Sequence, residues 1–470
     1  MAGLKRFKYT DKDHAAIVAD CISRIKEVYG AKLWNDFEED NSGVMLVEAF
    51  AYIADLLLFY LDRQANETYL PTATERQNII NMCKLIGYTP YGAKSAKANI
   101  RFSIKEAHNS DISIPSGFQI FSQSGIIFET SDDAFIKAGD TFVDVQAEEG
   151  ETFSDNIGIS DGTTNQEFYL PRSGVVSVKN ISINSEFWNC VDSFVEEDSD
   201  DKSYTAELDA WGRVKISFGD GINGRIPQAG ENILAVYRIG GGINGNVAPD
   251  TLKIIRDSIH DINGNRVEVS AFNPDWASGG SDAQSIDSIK LLAPRFFETQ
   301  KRCVTKNDYE TFALNFGGIA KAHAVVHEHS GEANVIRLYV LTYGSAINTV
   351  AQPTDALKQS LLEYLNEYKM LTDWLDIQNG TSRNINFSGN VKIKEGYISE
   401  NVIAGIQDAL NSLMNIEFRS LGQELRISDV YSAIDNVAGV DFVELSEPVK
   451  TLTAGDNELL TLGNINFSVS

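Results

Sequence analysis

Residues 214–251 read VKISFGDGINGRIPQAGENILAVYRIGGGINGNVAPDT, and the rest of the chain can be read outward from them. Val214, Ile216 and Phe218 alternate with Lys215 and Ser217, which is the period of a half-buried strand. Residues 233–239 are apolar until Arg238, as a more deeply buried strand is. Between and after these arms lie two glycine knots, Gly219-Asp-Gly-Ile-Asn-Gly224 and Gly240-Gly-Gly-Ile-Asn-Gly245. Eight of the chain's 36 glycines fall within residues 219–245, so the backbone there needs turns that other residues resist. Both knots spell G-x-G-x-x-G, but that fingerprint holds a phosphate only when a helix follows it. Pro227 and Gly230 follow the first knot and Pro249 the second, without a helical period. The knots are therefore read as turns, and the stretch as a glycine-knotted hairpin.

Phe218, Gly219, Asp220, Gly221, Gly224, Pro227 and Gly230 form the pattern F-G-D-G-x-x-G-x-x-P-x-x-G. Tyr237, Arg238, Gly240, Gly241, Gly242, Gly245, Asn246 and Val247 continue it as Y-R-x-G-G-G-x-x-G-N-V. The combined pattern resembles the signature of the baseplate J-like family, wedge proteins of contractile phage tails and related injection machines. Other segments resemble the family in the same order: Asp36-Phe-Glu, Gly87-Tyr-Thr-Pro90, Ile114-Pro-Ser-Gly117, Arg302-Cys-Val-Thr305 and Asp308-Tyr309-Glu310. The resemblance implies a structural baseplate wedge subunit in a ring around the central hub, linking wedges so that triggering reaches the sheath. Its implied partners are neighbouring wedge copies, other baseplate wedge proteins, and hub and sheath-initiating tail proteins. The implied place is the tail baseplate of the virion, assembled in the bacterial host cytoplasm.

Composition bounds the alternatives. With 40 Lys+Arg against 66 Asp+Glu the net charge is −26, which repels a phosphate backbone or an anionic membrane. No nucleic-acid or membrane partner is expected. Cys21, Cys83, Cys190 and Cys303 stand far apart without C-x-x-C, so neither a zinc site nor a disulfide framework is expected, and a reducing compartment is. Residues 44–61 approach membrane length but carry Glu48 and Asp55, and are read as a buried helix.

The expected fold class is multidomain α+β: an N-terminal helical region (1–94), a β-rich all-β module (95–280), a sandwich-like α+β region (281–450) and a C-terminal tail strand (451–470). Helices are expected at 11–29 and 43–66. A third opens at a capping-box pattern, Thr72-Ala-Thr-Glu75. The three either cover one another, the reading the pattern favours, or leave a stripe for a partner; the family resemblance favours the partner. Short alternating runs at 98–104, 118–121, 141–145, 167–170, 175–183 and 204–208 argue strands. A helix from 282 is expected to stop before Pro294, and another to open at Thr305. Residues 278–281 and 84–94 are candidate hinges. The terminal strand is expected to pair within its own chain rather than with a neighbour's sheet.

Catalytic chemistry finds little support. H-E-x-x-H and the Walker pattern are absent from the sequence, and with 66 carboxylates no pair stands out as a hydrolase site. The expectation is no enzyme, no cofactor and no metal. Two stretches could hold a metal but read more readily as solvated surface: the acidic run 196–201 for calcium, and His323, His327 and His329 on one strand face for a divalent ion. The alternative function is a carbohydrate-binding or cell-wall-degrading tail component, with Trp188 and Trp211 lining a groove. Cys303 is read as core.

Overall fold

A computed structural model describes residues 8–10, 12–30, 34, 36–38, 41–209, 212–327, 335–346 and 348–469. Two compact units part between Thr89 and Pro90. In sequence, helices come first, then a β-rich stretch, then mixed α+β, so the expected fold class holds.

The first unit contains α1 (His14–Tyr29), α2 (Ser42–Asn66) and α3 (Arg76–Leu85). Asp13 caps α1 by accepting from the Ala16 N–H, and Asn41 caps α2 through Gly43. Only Val44, Ala51 and Asn66 of α2 are buried. Mutual cover of the three helices, and the buried reading of residues 44–61, are thus corrected: α1 shields one stripe of α2 and leaves the rest open. The capping box at Thr72-Ala-Thr-Glu75 is corrected too. Thr72 Oγ1 donates back to Asn66 O (2.6 Å), and Glu75, at the N-cap, makes no side-chain cap bond. Buried Glu67 caps the helix instead. Its carboxylate accepts from Thr74 N (2.8 Å), Thr74 Oγ1 (2.6 Å), Glu75 N (3.1 Å) and Asn78 Nδ2 (3.1 Å). Burial by itself would raise the Glu67 pKa, but these bonds outweigh it and bring it to about 2.

In the second unit, Lys97–Ser103, Gln119–Ser122, Ile127–Thr130, Phe142–Glu149, Leu252–Ile255 and Ser270–Phe272 form one six-stranded sheet. A four-stranded sheet of Ile112–Ile114, Ala134–Ile136, Ile259–Asp261 and Arg266–Val267 closes on it over a core that includes Ile100, Phe102, Ile112 and Phe128. The chain from Gly150 to Ile239 is an insertion into this sandwich. Its seven strands run in the order Glu151–Ile159, Asn232–Ile239, Val175–Ile183, Glu186–Cys190, Ser203–Leu208, Val214–Phe218, Glu167–Tyr169 around a separate core. The hairpin expectation is corrected here. Val214–Phe218 pairs with Ser203–Leu208 and Glu167–Tyr169, whereas Asn232–Ile239 lies between Glu151–Ile159 and Val175–Ile183. The first knot folds onto a neighbouring loop and lets the two arms leave for different parts of the sheet. Asn232–Ile239 is also less enclosed than expected, since Leu234 keeps 39% of its surface exposed.

Next, α4 (Ile286–Thr299), α5 (Lys306–Asn315) and α6 (Asp355–Asn366) accompany a sheet of Ile319–His327, Val335–Tyr343, Val350–Ala351 and Trp374–Asn379. Tyr309, Phe312, Leu338 and Leu361 fill their core. The Thr305–Asp308 capping box forms as expected, and Cys303 is buried in that core. Pro294 does not stop α4 but lies inside it. An interior proline costs about 3 kcal/mol, which burial of Ile289, Leu292, Ala293 and Thr299 offsets. Last, Thr381–Ile393 lies between Val440–Glu447 and the terminal strand Glu458–Val469, with α7 (Ser399–Leu413) and α8 (Ile427–Asp435) contributing to their core. The terminal strand thus pairs within its own chain, as expected. Residues 278–281 are not a free hinge. Ser278 and Ser281 are each 1% exposed, and their carbonyls accept from Lys97 N and Lys94 N, both at 2.8 Å.

Glu67 gives a pH signature for the first unit. Its folded pKa lies below the ordinary 4.5, so its contribution is present above pH 4.5 and is lost as pH falls toward about 2. Glu67→Gln should lower the stability of the α2–α3 connection by about 2 kcal/mol at pH 7. The gap from wild type should narrow as pH falls below 4.5 and close only near pH 2. Amide exchange across residues 67–85 as a function of pH checks this.

Candidate assembly site

The first knot is held by its own aspartate. Asp220 Oδ1 accepts from Ile222 N (2.9 Å) and Asn223 N (2.7 Å). A Cβ at Gly219 would lie 2.3 Å from Gly224 O, so only glycine lets the loop close. Gly224 N and Arg225 N donate to Asp198 O (3.1 Å) and Asp201 O (2.8 Å). The acidic run therefore serves the knot through its backbone. Pro227 O accepts from Ser160 Oγ (2.8 Å), and Gly230 N donates to Ser160 O (2.8 Å). Phe218 sits in the inserted core, 5.2 Å from the Trp188 ring in an edge-on contact. Trp188 is thus core rather than groove, and Trp211 lies outside the described residues.

The second knot is the neck of the insertion. The chain leaves the six-stranded sheet at Glu149-Gly150 and returns at Ile239-Gly240. A Cβ on Gly150 would lie 2.4 Å from Ile239 O, and one on Gly240 would lie 2.7 Å from Gly150 Cα. Arg238, 1% exposed, reaches across this crossing. Its Nη1 donates to Glu148 O (2.8 Å) and Glu149 O (3.2 Å), and its Nη2 to Glu129 Oε2 (2.8 Å). Glu129 is 3% exposed and also accepts from Thr152 N (3.0 Å) and Thr152 Oγ1 (2.7 Å). Burial pushes the Glu149 carboxyl above its ordinary pKa, opposed by the Gly241 N–H at 2.6 Å and by Arg238. Tyr237 donates to Asp155 Oδ2 (2.6 Å); burial first, then that bond, push its phenol up to about 12.

The motif then reaches a third partner. Gly242 N donates to Lys94 O (3.2 Å). Asn246, fully buried, accepts from Gly280 N (2.9 Å) and donates to Gly280 O (2.8 Å) and Tyr343 O (3.1 Å). Sandwich, inserted sheet and the following α+β domain thus meet on residues 237–246. Sequence reading named these residues but missed their partners Glu129, Glu148 and Glu149. A signal existed: Arg238 is the lone charge ending an apolar run, and a buried guanidinium requires acceptors.

The other feature is the open face of α2. Its shielded stripe holds Val44, Val47, Glu48, Ala51, Ala54, Asp55, Leu58 and Asp62. Leu46, Phe50, Ile53, Leu57, Tyr60 and Leu61 face outward, each more than half exposed. Polarity is inverted relative to an ordinary surface helix, with acids on the shielded side and large apolar groups outside. Asp62 is spent on the chain's own start, accepting from Tyr9 N (3.0 Å), Thr10 N (3.1 Å) and Thr10 Oγ1 (2.8 Å).

The histidine reading resolves differently. His323 Nδ1 lies 2.9 Å from Glu310 Oε1, a hydrogen bond that raises the His323 pKa, helped by the Glu310 and Asp456 charges and opposed by burial and Lys306. His329 lies outside the described residues, and nothing is described of the His327 side chain. Among the described residues no group of three or more His, Cys, Asp or Glu side chains is placed to hold a metal.

Comparison with known proteins covers much of the chain. Residues 13–85 match the N-terminal domain of bacteriophage baseplate protein, 301–378 the baseplate J-like central domain, and 385–468 the baseplate J-like protein C-terminal domain. Residues 86–300, with both knots, lie between these segments. The baseplate wedge protein gp6 of Enterobacteria phage T4 is 26% identical over 321 residues, 61% of this chain and 47% of that protein. The chain therefore spans about half the length of this relative. Among solved structures, a chain of the anti-feeding prophage baseplate aligns with 95% of this chain and 90% of its own length, at 12% identity and a TM-score of 0.31.

Arg238→Met should destabilise the second unit by about 3–5 kcal/mol, because it leaves Glu129 buried without its cation. Adding Glu129→Gln should recover much of that loss, a coupling that a double-mutant cycle by chemical denaturation measures. Gly245→Val should also cost folding, since a Cβ there already lies 3.0 Å from Ala96 Cβ and 3.1 Å from Glu149 Cγ.

Proposed function

The chain belongs to the baseplate J-like family of bacteriophage baseplate proteins, and on that premise we propose that it is a structural wedge subunit of a contractile-tail baseplate. In this reading copies form a ring around the central hub, and rigid domains turn against one another when the particle is triggered. The role is mechanical: the ring passes the signal to the sheath while contacts between wedges persist. Partners are neighbouring copies, other wedge proteins, and hub and sheath-initiating proteins. The place is the tail baseplate of the virion, built in the bacterial host cytoplasm.

The observation that carries this reading is the outward apolar face of α2. Burying a large apolar side chain is worth about 1.5–3 kcal/mol, so a row of them in water favours association with another apolar helix. By length and composition α2 is also apolar enough to cross a membrane. Glu48 and Asp55 on its α1-facing stripe make lipid a poor solvent for it, whereas a helical bundle leaves that stripe on α1.

The test uses the full chain with Phe50→Glu and Leu57→Glu together. Light scattering should show the wild type forming assemblies, alone or with the other baseplate chains of its particle, and the double variant failing to. Both positions are exposed, so stability should change by only about 0.5 kcal/mol. A double variant that still assembles, or a wild type that stays monomeric in both settings, contradicts the reading.

A further inference from the structure

The last two domains have separate apolar cores, one around Phe312 and Leu361, the other around Phe387 and Leu410. What joins them is a small cluster: Leu341, Ile416, Leu421 and Leu459. The backbone passes from one to the other at Gly380 without a loop. Trp374–Asn379 ends one residue before it, and Thr381–Ile393 begins one residue after. Gly380 N donates to Val340 O (2.8 Å), and Ile416 N donates to Asn348 Oδ1 (2.7 Å).

Into this junction Ile319–His327 sends Lys321. Its Nζ donates to Glu417 O (3.0 Å), a neutral carbonyl, and that is the ammonium's only acceptor among the described residues. The Glu417 carboxylate accepts from Ser285 Oγ (2.9 Å) and attracts Lys321 without pairing with it, while Arg295 on α4 repels it. Burial is the main influence and brings the Lys321 pKa down to about 8. Two residues along the strand, His323 has a charged partner in Glu310 of α5, with Asp456 and Lys306 nearby. Lys321 has none. An apolar cluster that favours docking and a partly buried cation, held by one neutral carbonyl, that opposes it therefore share one interface.

We propose that residues 381–469 undock from the preceding domain as a folded unit, turning at Gly380, with the partly buried Lys321 ammonium keeping the docked and undocked forms close in free energy. The device is independent of the baseplate role, because it concerns two domains of one chain. The docked-state pKa lies below the ordinary 10.5, so the penalty is full below about pH 8 and fades as pH rises toward 10.5. Alkaline conditions favour docking.

Hydrogen exchange of the full chain, followed by mass spectrometry, reads the equilibrium at residues 414–424. Lys321→Met keeps most of the side-chain volume and removes the charge. It should slow exchange there by about tenfold or more at pH 7, since each unit of pKa shift is a factor of ten. The ratio to wild type should narrow between pH 7 and 9. Asn348→Ala removes an acceptor from the same interface and should speed exchange at 414–424 while leaving the interior of α7 unchanged. Equal or faster exchange in the Lys321→Met chain overturns the proposal. So does faster exchange throughout α7 in the Asn348→Ala chain, which would mean that the domain unfolds rather than undocks.

Discussion

A guanidinium buried where an inserted sheet rejoins its parent sandwich constrains everything around it. Taking Arg238 out of water is unfavourable by several kcal/mol unless its donors find acceptors. Those acceptors are the carbonyls of Glu148 and Glu149 and the carboxylate of Glu129, all on strands of the other core. Satisfying one side chain therefore fixes how two hydrophobic cores sit on each other. Gly150 and Gly240 make the approach possible, because a side chain on either would meet backbone at less than 3 Å. Asn246 extends the same logic to a third domain through Gly280 and Tyr343. The motif is a joint built from polar groups that have no solvent alternative.

The helical unit follows the opposite rule. Where residues 237–246 enclose polar groups and bond most of them, with Arg238 Nε left without a hydrogen bond, α2 leaves apolar groups in water and turns its carboxylates toward its own chain. Neither arrangement resembles an ordinary surface. A closed joint resists load without needing a partner, and an open apolar helix needs one. The net charge of −26 adds long-range repulsion, so random contacts are discouraged while a complementary helix can still dock.

What could be read from the sequence was mostly local. The Thr305 capping box, the alternation at 214–218 and the helical periods of α1 and α2 are set by residues within a few positions of one another, and they stand where expected. Strand pairing was not legible. Val214–Phe218 and Asn232–Ile239 looked like a hairpin because they are neighbours in sequence, but their strand partners lie as far off as Glu151, which pairs with Ile239. Glu67 displaced the capping pattern at Thr72 because a buried carboxylate offers more than a hydroxyl can, and sequence spacing does not report burial. Arg238 was visible as a residue, but its acceptors were not.

Glycine explains the remaining error, and the reason is physical. A run such as Ser278-Gly-Gly-Ser281 signals either freedom or crowding, and the two have one composition. Here it is crowding. A Cβ at Gly280 would sit 2.6 Å from Gly242 O and 2.9 Å from Asn246 Oδ1, so the supposed hinge is a strap threaded through the joint. At Gly380 too a Cβ would crowd Leu341, at 2.8 Å, yet the surroundings differ. The interface beside Gly380 carries a cation with one neutral acceptor, whereas the strap is held by a fully bonded asparagine. Glycine abundance alone therefore does not mark where a chain moves; what packs against the glycine decides it.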